Sequence, residues 1–167
     1  YTLPGTASAF NALYLAGGPN INGSFRDIQV LRDGKVVNHL DVYDFLINGN
    51  PMVNMPLRDN DVIMVPTYLN RVKVGGQFKR SGIFEAKNGE MISDLVRFAG
   101  GFTENAYSGR LELYRNTSKQ KQFRDILSAN FEATPIQSGD SIYAGVILER
   151  FENKVTIEGA VLRPGNY

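Results

Sequence analysis

Apolar and polar positions set out a short series of elements in the middle of the chain. Val72, Val74 and Gly76 alternate with Lys73 and Gly75, the two-residue period of a strand. Lys79-Arg80-Ser81-Gly82 reads as a turn and Ile83 to Ala86 as a second strand, so the pair predicts a hairpin. After Gly89-Glu90 the period changes. Met91, Ile92, Leu95, Val96 and Ala99 follow the i, i+3, i+4, i+7 spacing of one buried helix face, with Asp94 and Arg97 on the wet side. Gly100 stands where a helix end favours a left-handed residue, and Gly101 follows it out. Arg110 to Arg115 alternates again, placing Leu111 and Leu113 inward and Glu112 and Tyr114 on the other face. Asn116-Thr117-Ser118 turns the chain, Gln120 to Phe123 returns, and Phe123, Ile126 and Leu127 suit a short helical turn. Ser141 to Val146 is the last strand of this unit.

The same script comes twice more. Val72 to Phe84 returns as Val155 to Tyr167 with no gap, since 155 − 72 = 83, and Ala16-Gly17-Gly18 precedes Ala99-Gly100-Gly101 by the same interval. A period this long is a domain rather than a solenoid repeat. Residues 1–67 then form a first unit without its opening strand, 70–148 a complete unit, and 153–167 the opening hairpin of a third. In the first unit Ala9, Ala12, Leu13 and Ala16 make the helix face, with Thr6 or Ser8 as N-cap. Ile28 to Val37 carries Asp33-Gly34 between apolar runs, which a tight type I′ hairpin turn requires. Asp44-Phe45-Leu46 aligns with Asp125-Ile126-Leu127, and Asp61 to Val65 with the last strand. Tyr68 to Arg71 is short, which predicts closely packed units. The order of hairpin, helix, hairpin, short turn and strand implies an α+β fold. It predicts tandem β-grasp (ubiquitin-like) repeats, each a small mixed sheet crossed by one helix. The unpaired ends carry a further expectation: the 153–167 hairpin completes the first unit of another copy, by strand exchange or end-to-end pairing.

The stretch from Val-Lys-Val-Gly-Gly at Val72 through Lys-Arg-Ser-Gly-Ile-Phe to Phe-Ala-Gly-Gly at Gly101 resembles the SLBB family, the soluble-ligand-binding β-grasp domains. Val155 to Tyr167 repeats the signature with Pro164-Gly165, where the second unit has Ser81-Gly82. Tandem copies resemble the periplasmic part of outer-membrane polysaccharide export proteins. The resemblance implies a non-catalytic segment of a capsule or exopolysaccharide export assembly in a Gram-negative bacterium. Its partners would be polysaccharide, other copies of itself in a ring and other envelope export proteins, with any membrane contact made through regions outside this chain. The alternative is a module that binds or senses a small soluble ligand, a saccharide or another molecule, in a crevice between repeats.

Charge and composition narrow the chemistry. Eighteen Lys and Arg against seventeen Asp and Glu leave a net charge of +1, with no basic stripe to bind nucleic acid. There is no cysteine, which removes disulfides and thiolate chemistry, and one histidine, His39, which cannot build a typical zinc site. No cofactor is implied. His39 with Asp41 on one strand face is the one acid–base pair the sequence offers, and a strand-edge position explains His39 better. Gly75-Gly76 follows a strand but leads to a turn, and the other glycine pairs end helices, whereas anion sites lie at helix starts. Arg80 and Arg163 recur at the same hairpin tip, and Tyr107, Tyr114 and Tyr14 carry rings suited to a saccharide or to covering a sheet. Arg80, Arg163, Tyr107 and Tyr114 are therefore the candidate saccharide or interface contacts. Asn22-Gly23-Ser24 and Asn116-Thr117-Ser118 fit a glycosylation acceptor, a pattern without meaning in a bacterial protein.

Overall fold

The computed structural model describes residues 7–167. It is α+β, with two sheets, each packed against one short helix, and a separate two-stranded hairpin. Helix α1 (Ala9–Leu15) opens on Ser8, whose side chain accepts from the Asn11 backbone N–H while the Asn11 side chain accepts from Ser8 N–H. This reciprocal pair satisfies two of the donors a helix start leaves free. Thr6, the other expected cap, lies outside the described residues. Strands β1 (Ile28–Arg32), β2 (Lys35–Leu40) and β3 (Val62–Met64) form an antiparallel sheet in the order β2-β1-β3. Asp33 and Gly34 both take positive φ, 52° and 73°, the expected type I′ turn. Ala9, Leu13, Ile28, Val30, Leu40 and Val53 are the buried centre of this half.

The second sheet is mixed. Strands β4 (Asn70–Gly76) and β5 (Gly82–Ala86) form the expected hairpin, then α3 (Ile92–Phe98) crosses the sheet. Strands β6 (Arg110–Asn116), β7 (Lys121–Leu127) and β8 (Ser141–Ala144) complete the order β5-β4-β8-β6-β7. β8 runs parallel to β4, the one parallel pair among the described residues, and α3 lies on the crossover between them. Val72, Val74, Leu95, Ala99, Leu111, Leu113, Ile142 and Ala144 are almost entirely buried between helix and sheet. At about 25 cal/mol per Å² of apolar surface, each large aliphatic side chain here contributes about 1.5–3 kcal/mol. Gly76 is a steric necessity: its φ is 80°, and a Cβ there would stand 2.1 Å from the Ala144 carbonyl and 2.9 Å from the Tyr143 ring. Strands β9 (Thr156–Ile157) and β10 (Gly165–Asn166) pair antiparallel as the last hairpin.

Two sequence expectations fail here. Phe123, Ile126 and Leu127 do not make a helical turn; they lie in β7, paired with Tyr114, Leu111 and Arg110. Only Ile126 enters the core, while Phe123 packs its ring on Tyr114 across the outer face at 5.2 Å. A cross-strand aromatic pair mimics helical spacing when one strand is read alone. Asp44-Phe45-Leu46 is not the counterpart of Asp125-Ile126-Leu127 either. It belongs to a helix, α2 (Val42–Asn48), absent from the second half. Asp41 caps it by accepting from Tyr43 and Asp44 N–H, and Gly49 ends it with φ 67°.

An ion pair the sequence reading missed recurs in both halves. Arg115 Nε and Nη2 donate to the two oxygens of Asp140 at 2.8 and 2.7 Å, and Asp140 also accepts from Gln137 N–H. Arg32 and Asp61 repeat the fork at 2.8 and 2.7 Å, with Arg58 N–H in place of Gln137. Each fork ties the first strand after the helix, β1 or β6, to the turn before the last strand of its sheet, with the bidentate geometry arginine favours. The Asp140 side chain is 1% exposed. Asp140→Ala strands a buried guanidinium and should cost about 3–5 kcal/mol in urea unfolding. The Arg32 hydrogen bond holds the Asp61 carboxyl below its ordinary range, against the opposing effect of burial. A depressed folded pKa contributes stability above the unfolded value of about 3.9, lost as pH falls through the folded value. Asp61→Asn should therefore unfold with a shallower pH dependence below about pH 4 than the parent chain, read by denaturation at successive pH values.

Candidate seam site

The two halves meet along a polar seam centred on Arg26. The residue follows a turn fixed by Ser24, whose hydroxyl accepts from the Arg26 and Asp27 N–H groups. The Arg26 guanidinium reaches into the second half. Its Nε donates to both oxygens of Asp41 at 2.9 and 3.0 Å, Nη2 to Glu90 at 2.7 Å, and Nη1 to Glu90 and the Glu85 carbonyl at 3.2 and 3.1 Å. The charged plane lies 4.5 Å from the Tyr43 ring centroid and 4.9 Å from that of Phe98. Arg26 is 7% exposed. Burial alone would lower its pKa, but the hydrogen bonds it donates to Glu90 and Asp41 and the charges of those carboxylates outweigh that and raise it. The guanidinium is thus held charged between two carboxylates and two rings, each ring contact worth up to about 2 kcal/mol when desolvated.

The seam is anchored in both directions. Glu85, on β5, accepts from the Ser24 hydroxyl at 2.6 Å and from Phe25 N–H at 2.7 Å. Its own N–H donates to the Tyr43 hydroxyl at 3.0 Å. Burial pushes the Tyr43 phenol up, against the lowering effect of that hydrogen bond, so the hydroxyl stays neutral. Helix α2 carries the apolar part. Tyr43 and Ile47, one turn apart, pack against the second core, and Phe45 stacks on Phe10 of α1 at 4.6 Å. Tyr43 meets Phe98 and Phe84 edge-on at 5.2 and 6.4 Å. Across the linker, Arg71 lies 3.7 Å from the Tyr68 ring centroid and donates to the Ile21 and Gly23 carbonyls.

Above the clasp opens a cleft of about 660 Å³. Lys87 binds Asp41 at 2.6 Å, and Arg97 reaches Asp94 and Asn48. His39 Nδ1 lies 2.6 Å from Asp27, both well exposed. His39 and Asp41, the one acid–base pair weighed from the sequence, do not meet: Asp41 is committed to the α2 cap, Arg26 and Lys87, and His39 on β2 turns to Asp27. Among the described residues, every buried side-chain polar atom has a partner. The cleft's charges therefore face one another, and the arrangement holds two units together.

The expected contact residues lie elsewhere; none lines this cleft. Arg80 sits at its hairpin tip, where the Lys79 and Arg80 N–H groups cap the Gly101 and Ala99 carbonyls at the end of α3. A Cβ on Gly100 would stand 3.3 Å from Arg80 Nε, so the basic side chain lies over the negative helix end. Arg163 is exposed at the tip of β9–β10. Tyr107 and Tyr114 are half-exposed; Tyr107 turns its ring toward Gly109, and Tyr114 donates to Glu112 at 3.0 Å. Ser24, read as part of an inert acceptor pattern, is a seam residue. Arg26 stands among Ser24, Asp27 and Gln29, and its partners Asp41 and Glu90 lie far off in sequence, so no local pattern marks it.

Arg26→Met removes the charge and leaves Asp41 and Glu90 without their partner. It should cost about 3 kcal/mol or more. Hydrogen exchange should show faster opening of β1–β3 amides than of β6 and β8, because the first half loses its brace.

Comparison with known proteins agrees with the sequence motifs. The family model described as "SLBB domain" matches residues 1–52 and 71–123. The polysialic acid transport protein KpsD of Escherichia coli is 27% identical over 165 residues, covering 94% of this chain, and a second KpsD sequence matches equally. The chain spans 29% of the length of these relatives. With more than half of its residues matched by that model, the chain belongs to the SLBB domain family.

Proposed function

We propose that this chain is a non-catalytic periplasmic segment of a capsule or exopolysaccharide export assembly in a Gram-negative envelope. Its units, 1–67, 70–148 and 153–167, act as tandem β-grasp repeats that make subunit contacts and frame the export path. Membership of the SLBB family and similarity to a polysialic acid transport protein support the export role. The observation that carries the structural role is the seam: a buried, fully paired arginine clasp fixes two domains at one angle. A strut needs such rigidity. Other copies in a ring, other envelope export proteins and the polysaccharide itself are its partners, and no cofactor takes part. Introducing Arg26→Met into the intact export protein should reduce surface polysaccharide while the protein remains in the envelope. Unchanged export after deletion of both repeats would overturn the reading.

A second reading has one observation of its own. The cleft between the units is large enough for a monosaccharide or similar ligand, and Lys87, Arg97 and His39 stand at its rim. Titration with sialic acid should then saturate, and Lys87→Ala with Arg97→Ala should weaken it; binding that never saturates counts against this use of the cleft.

A further inference from the structure

The outer face of the second sheet carries a set of rings that the fold does not require. The inward residues of β4, β6 and β8 make the core, so their neighbours Lys73, Glu112, Tyr114, Ser141 and Tyr143 lie on the opposite face. Pairing lines them up across the strands. Lys73 stands opposite Ser141, Ser141 opposite Tyr114, and Tyr114 opposite Phe123. That row runs from β4 to β7, about 14 Å at the usual strand spacing. Tyr143 sits in the next row, between Gly75 and Glu112. Its ring lies against the β4 backbone: a Cβ on Gly75 would stand 3.3 Å from it. Tyr114, Tyr143 and Phe123 are 44%, 47% and 54% exposed.

The first half shows that the sheet folds without these rings. The Arg32–Asp61 and Arg115–Asp140 forks set the two sheets in register. By that register Leu31 corresponds to Tyr114 and Met64 to Tyr143. Val36, which pairs with Leu31, corresponds to Phe123, which pairs with Tyr114. Three ring-free side chains thus hold the places of three rings on the same pleated surface. A demand of strand packing would act on both sheets alike, so the exchange points to a use in the second half.

The charges around the rings name the kind of ligand. Arg110 binds both Glu112 and Asp125, at 3.5 and 2.8 Å. Glu112 in turn accepts from the Tyr114 hydroxyl, which holds that ring in place. Lys73 at one end of the row has no carboxylate partner among the described residues, and neither has Lys121, two residues before Phe123 on β7. The carboxylates of this stretch are taken up and two ammonium groups are left over. We propose that the face binds an acidic polysaccharide chain laid across β4, β8, β6 and β7. The C–H side of a pyranose carries slight positive charge and stacks on the negative face of a ring. The Ser141 hydroxyl lies between the rings and Lys73, in reach of sugar hydroxyls, and Lys73 and Lys121 take the sugar carboxylates. A flat platform suits a chain passing over it, whereas the seam cleft has room for a single sugar.

This inference rests on the polysaccharide partner proposed above and names where the chain holds it; its test reads binding without export. The probes are a sialic acid tetramer, a galacturonic acid tetramer and neutral maltotetraose, each titrated into the isotope-labelled chain. The acidic tetramers should shift β6, β7 and β8 amides saturably, and maltotetraose should bind about fivefold more weakly, since exposed ion pairs are modest. Tyr114→Leu, Phe123→Val and Tyr143→Met together install the first half's residues. That variant should keep its fold by circular dichroism and lose about tenfold or more in affinity. Phe123→Val alone, on the edge strand, gives the same reading with a smaller loss if the triple variant does not fold. Lys73→Gln with Lys121→Gln should bring acidic and neutral tetramers to equal affinity. No shift with either acidic tetramer would overturn the proposal, as would shifts confined to the seam cleft. So would equal affinity for acidic and neutral tetramers in the parent chain, or binding unchanged without the rings. If the face binds nothing while Arg26→Met still impairs export, the platform falls and the export role stands. If the face binds and export survives deletion of the repeats, the export role falls and the platform stands.

Discussion

One buried guanidinium determines how the halves of this chain sit together. Arg26 brings a positive charge to a place 7% open to solvent, and an unpaired charge there would be prohibitively costly. Everything around it follows from that constraint. Asp41 must cap α2 and face the guanidinium at once; Glu90 must lie at the start of the α3 region; Tyr43 and Phe98 must present their faces. The apolar contacts of Tyr43 and Ile47 supply adhesion, but they tolerate sliding. The forked hydrogen bonds do not, so the clasp sets the angle and the rings hold it.

The repeat explains the rest by what it keeps and what it changes. Both halves keep the helix closed by two left-handed glycines, the sheet under it and the Arg–Asp fork at the base. The first half adds α2 between its hairpin and its last strand. That helix is the piece that touches both cores, with Phe45 on Phe10 and Tyr43 on Phe98. One short helix thus supplies the surface that meets the second half, outside the first half's own sheet.

Much of this was legible in the residues. The β4–β5 hairpin, the α3 face, the inward Leu111 and Leu113, and the Asp33-Gly34 turn all follow from period and turn chemistry, which act over a few residues. Alignment to the second unit carried only a short helical turn to Asp44-Phe45-Leu46, although Asp41 and Gly49 mark the ends of a longer helix, α2. The Phe123 misreading has the opposite cause: the partner that explains its exposure, Tyr114, sits on another strand. The Arg26 clasp and the Arg–Asp forks were out of reach, since their partners lie up to 64 residues away and nothing local distinguishes a buried arginine from a solvated one. The site residues chosen from the sequence, Arg80, Arg163, Tyr107 and Tyr114, share exposure, and exposure alone does not assemble a site.

The junction after the second half sharpens the division of labour. Its backbone repeats the first junction bond for bond. Tyr107 N–H donates to Gly145 as Ser24 N–H donates to Pro66, and Ile147 N–H to Asn105 as Tyr68 N–H to Asn22. The bridges Gly23 with Thr67 and Ala106 with Val146 correspond as well. Yet the place of Arg26 is taken by Gly109, which has no side chain to clasp anything. The backbone hook is therefore the generic means of stringing units together, and it does not by itself fix their angle. Rigidity is added by side chains, junction by junction. A chain built this way can set a different angle at each junction while keeping the same backbone hook.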